Sequence, residues 1–266
     1  ILAMSSTPRM NLNDYQSIST VFPGETPFNR AISQAYEPGS VAKILTMSGA
    51  LDSGAVQPDT VYFDEGSILV GGFRIVNWDG GAWGYQDMTG CLANSLNVCL
   101  AWVSSIKMQS ESFYSYMQRF GLGHATGIDL AGETSGRLKI PGDSDWGPVE
   151  LGTNAYGQGV SVTPLQMVVA ASALANDGKM VYPHVLYAQI QDGEQSNTRP
   201  QIVGSPISAN TADTISAMLS NALETESSAA LVPGYRIAGK TGTAQIPLPG
   251  GGYDENNVNA SFIGWG

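Results

Sequence analysis

The sequence predicts an α+β fold, because helical patterns fill the middle of the chain while strand patterns collect toward its ends. Strands and helices do not alternate as they do in repeated βαβ units, and no internal repeat is visible. The chain has 266 residues and no composition shift that marks a linker. We therefore expect a single domain over residues 1–266.

Four helices are predicted in the first half of the chain from the spacing of apolar residues. They cover residues 41–53, 88–94, 97–106 and 111–119. Gly54 follows the last turn of the first helix, which is typical of a helix end. Residues 61–87, which lie between the first two helices, are rich in Gly, Trp and Asp and are predicted to be irregular.

The second half begins with the clearest helix start, Thr163-Pro164, where a capping side chain precedes proline at the first helical position. This helix is predicted to run to Asn176, and a longer one covers residues 208–225. Strands are predicted at residues 185–191, 235–238 and 259–263. The first four residues, Ile1 to Met4, are interpreted as the end of a strand, and the last six stop inside a similar apolar run.

The charge balance excludes several classes of protein. Twelve basic and 23 acidic residues give a net charge of −11, whereas nucleic-acid binders and polybasic membrane-surface modules need an excess of Lys and Arg. No run of about 18 apolar residues occurs, so no segment of this sequence is a candidate for a membrane span.

Cys91 and Cys99 are the two cysteines of the chain. One continuous helix would hold their Cα atoms about 12 Å apart, too far for a disulfide. This distance favours free thiols, although a break near Asn94-Ser95 would change the geometry. The pair lacks metal-ligand spacing, so a structural zinc site is not expected.

Ser40 and Lys43 form the first of three short motifs that point to chemistry. Residues at i and i+3 share one face of a helix, so the lysine amine can reach the serine hydroxyl. A desolvated lysine can accept the serine proton, and a helix N-terminus favours the negative charge that develops. The same spacing also occurs by chance at an ordinary capped helix start.

Ser95-Leu96-Asn97 is the second motif. A hydroxyl and an amide two residues apart at a helix start can relay a proton and hold a substrate amide. Taken alone, the motif is equally consistent with a helix N-cap.

Lys240-Thr241-Gly242-Thr243 is the third motif and follows a predicted strand. Lys240 and Thr241 offer a charge and a hydroxyl to a substrate carboxylate. Gly242 lets a backbone approach closely, and the N–H of the next residue can face an oxyanion.

In this order the three motifs match the set found in penicillin-binding proteins and β-lactamases. The sequence resembles the transpeptidase domain of the penicillin-binding proteins over nearly its whole length, more closely the class B than the class A enzymes. Further stretches that carry the resemblance are Tyr36-Glu37-Pro38-Gly39-Ser40, Tyr156-Gly157-Gln158-Gly159 and Gly239-Lys240-Thr241-Gly242-Thr243-Ala244-Gln245.

The resemblance implies a role for each residue of the first two motifs. Ser40 would be the acylated nucleophile and Lys43 its general base. Ser95 would pass a proton toward the leaving group, while Asn97 holds the amide of the substrate.

The third motif would bind the rest of the substrate. By resemblance, Lys240 and Thr241 bind the carboxylate of a D-Ala-D-Ala terminus or a β-lactam, and Gly242 allows its close approach. The backbone N–H groups of Ser40 and Thr243 would form the oxyanion hole.

The resemblance also implies a mostly antiparallel central sheet flanked by helices, with an all-helical subdomain, and a sheet left incomplete at both chain ends. It implies a peptidoglycan D,D-transpeptidase whose partners are stem peptides and β-lactams, with no cofactor. The parent protein would be anchored at the extracytoplasmic face of the cell membrane, in a cell-wall synthesis complex, and the ending Ser261-Phe262-Ile263-Gly264 resembles the division-associated branch.

Three other functions share these motifs: a β-lactam sensor, a D,D-carboxypeptidase and a class A-like β-lactamase. A class A β-lactamase needs a glutamate that activates the deacylating water. Glu150, with Asn154 four residues later, has a suitable spacing. We interpret Glu150 instead as a solvated loop carboxylate, because it leads directly into the transpeptidase-like stretch that begins at Tyr156.

Overall fold

The computed structural model describes residues 1–9, 11–24, 26–226, 228–248 and 250–266. Helices and strands occur in the mixed order of an α+β fold, which confirms the predicted class. The α-helices are α1 (Ile18–Val21), α2 (Arg30–Ser33), α3 (Lys43–Asp52), α4 (Met88–Ala93), α5 (Asn97–Trp102), α6 (Gln109–Arg119), α7 (Glu150–Thr153), α8 (Pro164–Ser172) and α9 (Ala209–Glu226). Short 3₁₀ turns cover Leu12–Ser17, Gly39–Ala42, Asn154–Tyr156 and Ser228–Ala230, and a π-helical turn (Val103–Met108) joins α5 to α6.

Helix α3 lies at the centre of the hydrophobic core, and eight of its ten residues are buried. Its apolar side chains Ile44, Leu45 and Met47 are fully inaccessible to water. Burial on this scale stabilises a helix by about 1.5–3 kcal/mol for each large apolar side chain. Because α3 begins at Lys43, the same packing fixes the position of the first motif.

Side-chain caps explain where two of the helices begin. The Thr163 hydroxyl accepts a hydrogen bond from the Gln166 N–H, and Gln166 Oε1 accepts one from the Thr163 N–H, so α8 starts in a complete capping box. Asp87 caps α4 by accepting from the Gly90 N–H at 2.7 Å. The predicted helix start at Thr163-Pro164 is thereby confirmed.

Ten strands form five antiparallel pairs among the described residues. They are β1 (Tyr62–Asp64) with β4 (Gly84–Gln86), β2 (Ser67–Val70) with β3 (Phe73–Val76), β5 (Met180–Val181) with β8 (Ile202–Gly204), β6 (Ala188–Gln191) with β7 (Glu194–Asn197), and β9 (Ala238–Pro247) with β10 (Tyr253–Trp265). The β9–β10 pair is the longest and packs against α9 and the turn at Gly39–Ala42.

Three of the strand predictions were wrong in detail. Residues 61–87 are not irregular, because β2 and β3 pair across the tight Gly71-Gly72 turn and β1 pairs with β4 on either side of that hairpin. Residues 1–6 belong to no strand; the amino group of Ile1 instead donates a hydrogen bond to a backbone carbonyl. The strand predicted at 235–238 starts only at Ala238, because a turn precedes it.

The preference for free thiols was also wrong, since Cys91 and Cys99 form a disulfide with their Cα atoms 6.1 Å apart. The chain leaves the helical path at Ser95, whose φ is +52°, between α4 and α5. That break folds the two short helices against each other and brings the sulfur atoms together. The disulfide therefore brackets the second motif.

Among the residues that the structure describes, none lies in a helix both long and apolar enough to cross a membrane.

Candidate active site

The three motifs meet at one cavity of about 980 Å³. Its floor is formed by the turn that carries Ser40 and by the junction of α4 and α5, and its walls are formed by β3 and β9. The side chains and backbone that line it are Ser40, Phe73, Arg74, Ile75, Val76, Asn77, Trp78, Trp83, Ala93, Asn94, Ser95, Asn97, Val149, Thr153, Tyr156, Gln158, Thr241, Thr243 and Gln245.

Ser40 is partly exposed to this cavity from a 3₁₀ turn at the N-terminal end of α3. The preceding Gly39 has φ +58°, a left-handed backbone that favours glycine. Its N–H donates to the Gly157 carbonyl at 3.0 Å. The nucleophile turn is therefore held from beneath by the loop that follows α7.

Lys43 and the second motif form a continuous network of hydrogen bonds with Ser40. The Lys43 ammonium donates to the Ser95 carbonyl at 2.6 Å, to the Ser95 hydroxyl at 3.1 Å and to Asn97 Oδ1 at 2.8 Å. The Ser95 hydroxyl donates to Ser40 Oγ at 3.0 Å. Lys43 is fully buried, so this amine is out of contact with bulk water. The contacts join Ser40, Ser95 and Lys43 in one hydrogen-bonded chain, along which Ser40 can pass its proton when Lys43 is a neutral amine.

The position of Asn97 is fixed from outside this network by Asn77, a buried residue that the sequence analysis did not single out. Asn77 Oδ1 accepts from the Val98 N–H at 3.1 Å, and Asn77 Nδ2 donates to Asp64 Oδ2 at 2.6 Å. The Asn97 amide also reaches the Val76 carbonyl at 3.4 Å. Strand β3 and the second motif are thereby tied to each other.

The third motif lies in the first half of β9, in register with β10 from Ala238 onward. Thr241 and Thr243 line the cavity. Lys240 is fully buried below the cavity surface, with its ammonium 3.5 Å from Thr241 Oγ1. A carboxylate bound at Thr241 would therefore be close to a positive charge that bulk water does not screen.

Two glycines let β9 contact the nucleophile turn. A Cβ on Gly242 would lie 2.9 Å from Val41 Cγ1 and 3.2 Å from the Val41 backbone nitrogen. A Cβ on Gly39 would lie 2.8 Å from Ala244 Cβ. These approaches are closer than side chains tolerate, so the gap between the first and third motifs depends on the absence of both Cβ atoms.

A buried carboxylate, Glu37, lies three residues before the nucleophile. Burial raises its pKa above the ordinary value, while hydrogen bonds from the Gly159 N–H and Tyr253 and the charge of Lys139 offset part of this effect. Burial, followed by the negative charge of Glu37, raises the pKa of Tyr156 to about 12. Glu37 thus links the nucleophile segment to the 156–159 loop and to β10.

Glu150 is not the solvated loop carboxylate that the sequence suggested. Its side chain is 12% exposed and its Oε1 lies 2.5 Å from the Lys139 ammonium, at the start of α7. It is not among the residues that line the cavity.

No group of three or more His, Cys, Asp or Glu side chains within the described part of the chain is placed to bind a metal ion.

The structure brings together all eight residues of the predicted site, although Lys43, Lys240 and Gly242 support the cavity from below rather than line it. Sequence reasoning missed Asn77 and the disulfide as supports. In the sequence, Glu37 and the stretch that begins at Tyr156 were notable only for the family resemblance. In the structure, Gly159 donates to Glu37 and Gly157 accepts from Gly39, so the two segments hold the nucleophile turn together.

The family profile of the penicillin binding protein transpeptidase domain matches residues 1–266. Among curated proteins, the chain is 37% identical to stage V sporulation protein D of Bacillus subtilis over the whole chain and 41% of that protein. It is 30% identical to the peptidoglycan D,D-transpeptidase FtsI of Escherichia coli K12, over 95% of the chain and 40% of that protein. The chain therefore spans about two fifths of the length of these relatives.

Solved structures agree with this match. Penicillin binding protein 3 of Mycobacterium tuberculosis, complexed with aztreonam, superimposes with a TM-score of 0.82 at 34% identity, over 92% of this chain and 56% of that one. The D,D-transpeptidase domain of a peptidoglycan glycosyltransferase from Eggerthella lenta gives a TM-score of 0.88 at 25% identity, over 99% of this chain and 66% of that one.

Proposed function

The chain belongs to the penicillin-binding protein transpeptidase family, and from that premise we propose that it carries out D,D-transpeptidation of peptidoglycan stem peptides through an acyl-enzyme on Ser40. The observation that carries the proposal is the hydrogen-bonded path from Ser40 Oγ through the Ser95 hydroxyl to the buried Lys43 amine. A serine hydroxyl needs such a base to become a nucleophile.

In the acylation step, Ser40 Oγ attacks the carbonyl carbon of the penultimate D-Ala, and its proton passes to Lys43. The oxyanion of the tetrahedral intermediate is stabilised by the backbone N–H groups of Ser40 and Thr243. The C–N bond then breaks, and the terminal D-Ala leaves as a neutral amine after it receives a proton through Ser95. An ester between Ser40 and the stem peptide remains.

In the second step, an amine of a neighbouring stem attacks the ester carbonyl. Lys43 accepts the proton that this amine loses, the C–O bond to Ser40 breaks, and Ser40 Oγ regains a proton. The product is a new amide cross-link. Asn97 positions the substrate amide throughout, and Lys240, with Thr241, binds the terminal carboxylate while it is present.

The proposal is tested by intact-protein mass after incubation with benzylpenicillin, with Ser40→Ala as the variant that lacks the nucleophile. We expect one persistent penicilloyl adduct on the wild-type chain and none on Ser40→Ala. An adduct on both proteins, or on neither, would overturn the assignment of Ser40.

A second arm separates transpeptidation from the other functions that share these motifs. With a D-Ala-D-Ala peptide and an added acceptor amine, we expect the amine to enter the product. Water as the acceptor would indicate a D,D-carboxypeptidase, an adduct without peptide turnover a β-lactam sensor, and rapid penicillin loss without adduct a β-lactamase.

The cellular setting is part of the same proposal. The substrate lies outside the cytoplasm, so we place the parent protein at the extracytoplasmic face of the membrane, anchored and in a cell-wall synthesis complex. The two relatives are named as a peptidoglycan D,D-transpeptidase and as a sporulation protein, and within this proposal we assign the parent protein to division-related synthesis. Co-purification of the full-length parent protein with the membrane fraction tests this placement.

A further inference from the structure

One wall of the cavity, strand β3 with the two tryptophans that follow it, has no part in the mechanism above. Phe73, Trp78 and Trp83 are 64%, 71% and 37% exposed. They line the same cavity as Ser40. Large aromatic side chains at the mouth of a cavity offer apolar surface to a ligand longer than the reacting D-Ala-D-Ala terminus.

Arg74 supplies the one charge on this wall. Among the described residues that line the cavity, none is acidic and Arg74 is the only basic one, although the chain carries 23 acidic residues. Arg74 is exposed, and within the described residues it makes no hydrogen bond and no ion pair. The cavity therefore presents a guanidinium with unoccupied donors, which suits an anionic group on the ligand.

The position of Arg74 relative to the reacting amide follows from the strand. The carbonyl of Val76, two residues along β3, lies 3.4 Å from the Asn97 amide nitrogen. Two residues of a strand span about 7 Å. We therefore infer that an extended peptide held by Asn97 continues along β3, where the residue one or two positions before the D-Ala-D-Ala terminus lies beside Arg74.

The third motif is assigned to the other end of the donor stem peptide, which is its terminal carboxylate. Thr241 and Thr243 belong to β9, which pairs with β10, whereas β3 pairs with β2, so the two strands reach the cavity from different sheets. Because the terminal carboxylate is assigned to Lys240 and Thr241, the anion that faces Arg74 is a different group, nearer the N-terminus of the donor.

We propose that Arg74 forms a second carboxylate-binding site, which selects donor stem peptides with a free carboxylate one or two residues before D-Ala-D-Ala. The inference rests on the proposed function. Two groups have this chemistry: a carboxylate at the end of the side chain before D-Ala-D-Ala, and the α-carboxylate of a γ-linked glutamate one residue earlier. The guanidinium binds either one through paired N–H donors.

The test compares kcat/KM for D-Ala release from matched pentapeptides. In one pair, diaminopimelate before D-Ala-D-Ala carries a free or an amidated side-chain carboxylate. In the other pair, the γ-linked glutamate is free or amidated. We expect the wild-type chain to prefer the free acid of one pair by about 10-fold, a modest factor because Arg74 is exposed to solvent, and the pair that shows the preference identifies the source.

Three variants complete the design. Arg74→Gln is expected to remove the preference, and Arg74→Lys to keep about a third of it, because an ammonium retains the charge without the paired donors. Arg199→Gln removes an exposed arginine that does not line the cavity and is expected to keep the full preference.

The benzylpenicillin adduct on Ser40 separates the two ways in which the inference fails. If the adduct forms but wild type shows no preference, or Arg74→Gln keeps it, the Arg74 site is overturned and the proposed function stands. If no adduct forms on the wild-type chain, the proposed function and the Arg74 site both fall.

Discussion

The first two motifs and the third reach the same cavity by different means. Ser40, Lys43, Ser95 and Asn97 are joined by hydrogen bonds between their own polar groups, at the starts of α3 and α5, which are part of the buried core. The third motif lies on the β9–β10 pair, and its closest approach to the nucleophile turn is a backbone contact at glycines.

The site therefore has a nucleophile side (Ser40, Lys43, Ser95 and Asn97) and a β9 side (the third motif). The two sides tolerate different kinds of change. On the nucleophile side, loss of a polar atom removes chemistry and leaves buried partners unpaired. On the β9 side, addition of a single carbon atom alters the width of the cavity although every functional group stays. Geometry and chemistry are therefore open to separate tests in this site.

Lys43→Met gives the largest expected effect and tests the polar side of the comparison. We expect the rate of penicilloylation to fall by about 10³-fold, because the base is lost while the side chain keeps its length. Lys107→Met is the matched control, since Lys107 stacks on Trp102 away from the cavity and its loss leaves the rate unchanged. A rate of acylation within 10-fold of wild type in Lys43→Met would remove Lys43 from the mechanism.

Gly242→Ala tests the geometric side, with an expected loss of about 10²-fold in acylation rate from a displacement on the order of 1 Å. The new Cβ meets Ser261 Oγ at 2.5 Å and Val41 Cγ1 at 2.9 Å, so Val41→Ala in the same chain relieves one of the two side-chain contacts and is expected to restore part of the rate. Gly147→Ala is the control, because a Cβ at Gly147 has no neighbour within 4 Å. Equal rates in Gly242→Ala and Gly147→Ala would contradict the close-contact interpretation.

The same division explains how much the sequence could predict. The motif residues and most helix bounds depend on local patterns and caps, such as Thr163-Pro164, and these were found. The short strands of residues 61–87 depend on their pairing, β2 with β3 across a glycine turn and β1 with β4 across the hairpin between them, and strands of three or four residues are only weakly indicated by their own sequence. The partners of Glu37 lie more than 100 residues away in the chain, and no local pattern identifies them.

The disulfide is the clearest case of a local pattern that misled. A helical spacing of eight residues separates two cysteines, but the left-handed backbone of Ser95 interrupts the helix between them. For a non-glycine residue that conformation has a cost and persists because the surroundings hold it. The Ser95 carbonyl, which accepts from the Lys43 ammonium, is part of those surroundings.

The double variant Cys91→Ala/Cys99→Ala tests whether the nucleophile side also depends on the disulfide. We expect the free energy of unfolding in urea to fall by about 2–3 kcal/mol for the loss of a cross-link of this loop length. We also expect acylation of the folded protein to fall by less than in Gly242→Ala. Iodoacetamide in denaturant is expected to label no cysteine unless the protein is first reduced; two labels without reduction would restore the prediction of free thiols.

Glu37→Gln gives the smallest expected effect and tests the junction between the two sides, since Glu37 contacts the 156–159 loop and faces Tyr253 of β10. Burial raises the pKa of Glu37 in the folded protein, so its contribution to stability is fully present below its ordinary value near 4.5 and is lost as the pH rises through the raised pKa. The amide of Gln cannot ionise and still accepts from the Gly159 N–H.

Glu37→Gln is therefore expected to match wild type in urea unfolding at pH 4 and to exceed it at pH 7, by less than the change caused by loss of the disulfide. A variant that is less stable than wild type at pH 7 would mean that the charged carboxylate is the favoured form, held by Gly159, Tyr253 and Lys139. Asp52→Asn is a control of opposite sign, measured below pH 4, because the pKa of Asp52 is lowered from an ordinary value of 3.8. Although burial opposes it, hydrogen bonds from Ser208, Tyr116 and Thr211 lower the pKa of Asp52, so wild type loses stability as the pH falls through that lowered pKa and the variant does not.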